Sequence, residues 1–276
     1  VTGPVWDGHG DDPWLPARLA AIHDITKGEQ AVYTQFWAIL SGWLVKVARS
    51  VLSAVRPDPT AVFAHAPTWN RQMLAFANGS IKEVLGQSYK NLLGAGYRFD
   101  SRPAATAHLA QVVNRMVNTP DEVFGLIAAQ LAEGSNLGEG VPKLAARVED
   151  VLSTTATARW PNRAVTVART ETISALNAGR VDSFQAVAEE LSPDELGAGF
   201  EQMWLATEDK RTRKTHREAD GQRVALGAPF TVGGHDLAYP GDPDGPAREV
   251  IQCRCTTLLV RTNETVDMSN RQFRDH

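Results

Sequence analysis

PNRAVTVARTETISALNAGRVDSFQAVAEELSPDELGAGFEQMWLA, residues 161–206, carries the chain from one kind of structure into another. In its first part Val165, Ala168, Ile173, Leu176, Val181, Phe184 and Val187 recur at helical spacing. That period places them on one face of a helix from Pro161 to about Leu191. Ser192-Pro193 then breaks the pattern, because proline lacks an N–H and crowds the residue before it. Beyond the break Gly and Pro become frequent. Phe200 to Ala206, Phe230 to Val232 and Thr256 to Arg261 read as short β-strands.

Upstream the pattern is helical. Pro16 to Val55 carries Ile22, Ile25, Phe36, Leu40, Leu44, Val47 and Val51 at spacings of three and four, and Pro57 and Pro59 end it. Thr68 to Leu93 reads as a second helix, stopped by Gly94 and Gly96, and Ala104 to Val117 as a third. Thr119-Pro120-Asp121-Glu122 is a start signal with Thr119 as the N-cap; that helix ends at Gly134, and a shorter one runs from Pro142 to Leu152. The expected class is α+β: a mainly α-helical N-terminal half followed by a small α+β C-terminal domain. Four segments follow from this reading. Residues 1–15 form an extended arm bearing Trp6 and Trp14, 16–155 a helical domain, 156–262 the α+β domain, and 263–276 a polar tail.

Composition bounds the function. The 276 residues are 43% hydrophobic and 22% charged, as in soluble globular proteins. A net charge of -4 supplies no global attraction to nucleic acid or an anionic membrane, so any basic surface is local. No apolar run reaches the ~20 residues of a membrane span; Phe36 to Leu52 is interrupted by Ser41, Lys46 and Arg49. A secretory signal is not expected, since Asp7, Asp11 and Asp12 stand where basic residues would be. Cys253 and Cys255, the only cysteines, are too close in sequence to bond without strain, which points to a reducing compartment.

The chemistry-bearing residues gather between 204 and 255. His216 and Asp220 are four apart and would share one helical face. With Cys253 and Cys255 they form a candidate ligand set for a structural zinc ion. Zinc cysteines are more often spaced by two to four residues than by one. The alternative is that both thiols are small core residues ahead of the last strand, with His216 bonding the turn at Asp220-Gly221. Lys210, Arg211, Arg213 and Lys214 are candidate phosphate contacts for nucleic acid, partly neutralised by Glu208, Asp209, Glu218 and Asp220. Trp204 is placed to stack on Arg211 or Arg213. Arg169 and Glu171 are expected to project from the long helix into the C-terminal domain and hold a loop there. Glu171, Asp209, Asp220 and Asp242 are the carboxylates a metal-dependent nuclease would have to bring together, and their spacing does not ask for it. There is no phosphate-cradling glycine loop, no Gly-x-Ser-x-Gly elbow and no His-Glu-x-x-His motif. Neither enzymatic turnover nor a cofactor is expected.

One ordered set of motifs remains: Ala168-Arg169-Thr170-Glu171; Trp204 with Thr207 and Asp209; Arg211-Thr212-Arg213 and His216; Asp220-Gly221; Tyr239-Pro240-Gly241-Asp242-Pro243; and Cys253-Arg254-Cys255. This set resembles the phage Mu F-like minor head protein family, the phage head morphogenesis proteins. Gln252 departs from it, standing where that family usually has Asn. The resemblance implies a minor capsid protein of a tailed bacteriophage, bound to the portal protein inside the head and assisting procapsid assembly and DNA packaging or ejection. It implies the major capsid or scaffold protein and packaged DNA as further partners. It places the chain in the virion head interior near the portal, and in the host cytoplasm during assembly. No catalytic residue carries over; Arg169, Glu171, Trp204, Asp209, Gly221 and Arg254 carry over as structural motif positions. The competing expectation is a metal-dependent nuclease or toxin-like effector packaged in the head.

Overall fold

Tertiary structure comes from a computed structural model that describes residues 15–93, 103–155, 157–190, 199–207 and 209–263. The expected arm, apart from Leu15, and the expected tail, apart from Asn263, lie outside the described residues. The helices are α1 (Leu15–Val51), α2 (Ala66–Phe76), α3 (Lys82–Leu93), α4 (Pro103–Met116), α5 (Thr119–Asn136), α6 (Val141–Leu152) and α7 (Arg159–Glu190). A 3-10 turn, Pro59–His65, leads into α2, with Asp58 capping it through the Thr60 N–H. The single helix expected over 68–93 is α2 and α3 joined through a π-helical turn, Ala77–Ile81. Asn118, not Thr119, occupies the N-cap of α5. The link from α4 is so short that the Thr119 hydroxyl donates back to the Met116 carbonyl at 3.0 Å.

Past the long helix the chain forms β1 (Phe200–Leu205), α8 (Lys214–Ala219), β2 (Arg223–Ala225), β3 (Phe230–Val232), β4 (His235–Leu237), α9 (Ala247–Val250) and β5 (Thr256–Arg261). β1 is the middle strand of an antiparallel sheet in the order β2-β1-β5. Trp204 lies opposite Thr257, and Met203 opposite both Leu258 and Arg223. β3 and β4 form a separate hairpin with Val232 opposite His235. Its two-residue turn, Gly233-Gly234, has φ of 57° and 77°, the positive values such a turn demands. The α+β class therefore holds, with the helices upstream and the sheet confined to the C-terminal part.

α7 is the spine. α1 and α3 run along it, α4 crosses it and β5 rests on it. Glycines set the closest approaches. A Cβ on Gly179 would lie 2.7 Å from the Leu85 carbonyl oxygen and 2.9 Å from the Ser88 Cβ. The same seam carries a Ser88 hydroxyl donated to the Leu176 carbonyl at 2.7 Å and a buried Tyr89–Asp182 hydrogen bond. Much of the polar face of α7 is buried, including Thr170, Glu171, Thr172, Ser174, Asn177 and Asp182. One core cluster runs from Phe36, Trp43 and Trp69 through to Trp204, Phe230, Cys253 and Cys255. The indole N–H groups of Trp43, Trp69 and Trp160 donate to the carbonyls of His65, Met116 and Val151, so these large side chains are buried without losing a hydrogen bond. No helix among the described residues is long and apolar enough to cross a membrane.

Candidate functional site

The motif residues meet where β1 ends, α8 begins and β5 starts. Leaving β1, the chain makes a loop that is folded down onto the Cys-Arg-Cys turn. The Arg254 guanidinium reaches Asp209 Oδ2 at 2.5 Å, and the Thr207 hydroxyl donates to the Arg254 carbonyl at 2.6 Å. Asp209 Oδ1 also accepts the Arg211 N–H at 2.9 Å, and the Thr212 hydroxyl closes on the Thr207 carbonyl. α8 follows and turns His216 inward, 1% exposed. The imidazole Nδ1 lies 3.3 Å from Cys255 Sγ and 3.6 Å from Cys253 Sγ. Its Nε2 faces Glu249 Oε2 at 3.2 Å, and that oxygen also accepts the Thr215 hydroxyl at 2.8 Å. Trp204 meets the imidazole edge-on, 5.4 Å between centroids.

Of the expected zinc ligands, His216, Cys253 and Cys255 come together, with their donor atoms all within 4.8 Å of one another. Asp220 does not join them. α8 ends at Ala219 and Asp220 turns to ψ 127°, so the face a longer helix would have shared is lost. Its carboxylate instead accepts the Ala206 N–H at 2.7 Å and pins the end of β1. His216 does not bond the Asp220-Gly221 turn, contrary to the alternative expectation. That turn is held by the Gly221 N–H on the Trp204 carbonyl at 2.8 Å, with Gly221 at φ 79°. Burial pushes the Cys255 thiol well above its usual range. Cys253 is equally buried, but the Cys255 side chain and N–H together with Arg213 outweigh that and bring its thiol down.

The other expectations are redistributed. Arg169 pairs with Glu29 of α1 at 3.0 Å. Arg115 of α4 donates two hydrogen bonds to Glu171. Both side chains thus brace helix against helix and do not project into the sheet region. Burial raises the Glu171 carboxyl, and Arg115 opposes that rise. Trp204 packs edge-on against His216 and Phe230 in place of an arginine stack. In the basic run, Arg213 donates to the Ile251 carbonyl, and Arg211 and Lys214 lie beside Asp209 and Glu218. Lys210, Arg211 and Lys214 are exposed, the last with its side chain 91% open. The four carboxylates have separate partners: Glu171 takes Arg115, Asp209 takes Arg254, Asp220 accepts the Ala206 N–H, and Asp242 accepts the N–H groups of Ala238 and Asp244 to shape its own loop.

Two residues escaped the sequence reading. Glu249 is 4% exposed on the four-residue α9, and no spacing rule links it to His216. Asn177 of α7 donates to the Pro240 and Cys255 carbonyls at 2.9 and 3.0 Å and accepts from the Thr256 hydroxyl at 3.1 Å. It therefore ties the Tyr239-Pro240-Gly241-Asp242-Pro243 loop and the start of β5 to the spine. Gly241, at φ 85°, fits against the Ser174 backbone where a Cβ would stand 3.2 Å away. Gln252, at φ 58°, gives its N–H to the Thr170 hydroxyl at 3.1 Å. His108 is buried beneath Tyr239, whose hydroxyl is 3.5 Å from Nδ1. Burial, with Arg115 adding, pushes its imidazole down to about 3.

Residues 126–258, which contain every motif residue from Arg169 to Cys255, match the phage Mu protein F-like protein family. This stretch of the chain is Mu F-like. Its Mu F-like segment begins inside α5 and ends inside β5, so it includes the whole of α7. Among curated proteins, the chain is 37% identical over 129 residues to the NAD(+)–arginine ADP-ribosyltransferase EFV of Enterococcus faecalis, a match covering 41% of this chain and 25% of that protein. It is 29% identical over 155 residues to minor head protein GP7 of Bacillus phage SPP1, covering 56% of this chain and 46% of that protein. The chain thus spans a quarter of the first relative and under half of the second. No solved structure gives a significant match.

Proposed function

We propose that this Mu F-like protein is a minor head protein of a tailed bacteriophage, bound to the portal inside the head, where it assists procapsid assembly and the packaging or ejection of DNA. The observation that carries this reading is the similarity to the SPP1 minor head protein over 56% of the chain. The disposition of the motif side chains supports it. Asp209, Arg254, Asn177, Asp220 and Asp242 are spent on cross-bracing loops. A module braced in this way presents a fixed outer surface to a partner, which suits assembly more than turnover. The portal protein is the first partner, with the major capsid or scaffold protein beside it. The exposed Lys210, Arg211 and Lys214 are the groups that would meet packaged DNA. The chain would act in the host cytoplasm during assembly and remain in the virion. Mass spectrometry of purified virions and procapsids should find it in few copies, and it should co-purify with portal protein. Absence from virions together with no portal binding would overturn the reading.

A second reading is transfer of ADP-ribose to arginine, the activity named for the E. faecalis relative. It is favoured by the 37% identity, although the match spans only 25% of that protein. Incubation with labelled NAD+ and an arginine acceptor decides it. Transfer would install this reading, and an unlabelled acceptor would remove it. Nuclease activity in added Mg²⁺ is not expected, since the four carboxylates are committed to separate contacts.

A further inference from the structure

We propose that His216 Nδ1, Cys253 Sγ and Cys255 Sγ bind a zinc ion, with Glu249 as the outer carboxylate that orients the imidazole. Two sulfurs converge on one ring nitrogen at 3.3 and 3.6 Å. Zinc bonds of about 2.3 Å to sulfur and about 2.0 Å to nitrogen, at tetrahedral angles, would set sulfur and nitrogen about 3.5 Å apart. The two sulfur–nitrogen edges therefore already have the lengths of a zinc site, and all three donor atoms lie within 4.8 Å of one another. A hydrogen bond explains it less well, because Nδ1 has one lone pair and two thiols are aimed at it.

The second observation lies on the far side of the ring. A metal-bound histidine gives its other N–H to a carboxylate or carbonyl, which fixes the tautomer and the ring plane. Glu249 Oε2 lies 3.2 Å from Nε2, close enough for this bond but not aligned for it, and Nε2 has no hydrogen-bond partner among the described residues; the carboxylate is itself buried and steadied by the Thr215 hydroxyl. A proton on Nε2, the tautomer this carboxylate favours, would leave Nδ1 bare and facing the sulfurs. The donors arrive from separate places: α8, the turn before β5, and α9 for the outer carboxylate. Two thiolates and an imidazole select zinc over magnesium or calcium, which want oxygen. Binding releases the thiol protons to solvent, and the fourth position is left to a water molecule. The ion would clamp α8 onto β5, so its binding free energy adds to the stability of this corner of the fold.

The test uses the whole chain, purified under reducing conditions without chelator. Elemental analysis should find about one zinc per chain, as a single mononuclear site requires. After chelator treatment, Co²⁺ should produce a thiolate-to-cobalt charge-transfer band, and added Zn²⁺ should bleach it. Refilling with zinc should raise the melting temperature of the stripped protein. Glu249→Gln, which keeps all three ligands, should weaken zinc binding by about 10–100-fold. Folded, fully reduced wild-type protein that carries no zinc and gives no cobalt band would overturn the site, as would unchanged zinc affinity in Cys255→Ser. These readouts are independent of portal binding, so the site and the assembly role stand or fall separately.

Discussion

Gln252 is the only non-glycine among the described residues with positive φ. That region suits asparagine better than glutamine and suits a β-branched residue badly. An asparagine expected here from the motif resemblance would have a backbone reason: the turn before Cys253 passes through a left-handed conformation. Gln252→Asn should therefore raise stability by about 0.5 kcal/mol, and Gln252→Val should lower it by about 1–2 kcal/mol. Urea midpoints would show this; a valine variant as stable as the parent would refute it. His108 titrates far from its ordinary place. The unfolded chain takes up a proton as pH falls through 6.5, while the folded protein refuses it until about 3. The unfolded state thus binds more protons across that window, and acidification costs up to about 1.4 kcal/mol per pH unit from this one group. Glu171, raised by burial, contributes with the opposite sign as pH falls. Comparing His108→Gln with the parent cancels the Glu171 part. The variant should lose stability less steeply between pH 6.5 and 3, and equal slopes would sink the claim.

At the scale of elements, α7 explains both what the sequence disclosed and what it withheld. Apolar residues at spacings of three and four located the helices, because each buries a stripe against a neighbour. The same rule treats polar residues as solvent-facing, and on α7 it fails. Thr172, Ser174, Asn177 and Asp182 are buried because helices or loops cover that face as well. β2 and β4, three residues each, lack the paired aromatic and β-branched residues that marked the equally short β3. The Cys-x-Cys and His216 parts of the site were legible from residue type alone. Asn177 was not, since its partners lie 63 and 78 residues away. Nor was Glu249, whose role depends on which way a four-residue helix points. The α3–α7 seam supplies a sharp test. Gly179→Ala would drive a methyl into a backbone carbonyl that cannot step aside, and it should cost about 1–3 kcal/mol. Gly28→Ala is also tight, with the Thr172 methyl at 2.7 Å, but the nearest atoms it meets belong to side chains and not to backbone. Its loss should be the smaller of the two by thermal melting, and the reverse order would show that the seam is looser than its distances.

For the molecule as a whole, the continuous core predicts shared cooperativity. The cluster that holds Trp43 and Trp69 also holds Trp204 and the two cysteines. Amides in the middle of β1 and β5 should exchange with opening free energies within about 1 kcal/mol of those at the centre of α7. Sheet amides exchanging several kcal/mol more easily would mean that the C-terminal part opens by itself. The spine adds a mechanical consequence. Thirty-two helical residues make a rod about 48 Å long. It is gripped near its middle by Gly179 against α3, and Asn177, less than one turn away, grips the 239–243 loop. A tug on that loop has no slack linker to take it up. It passes within one helical turn to α3, so a load applied at one surface of this protein is carried by the whole of it.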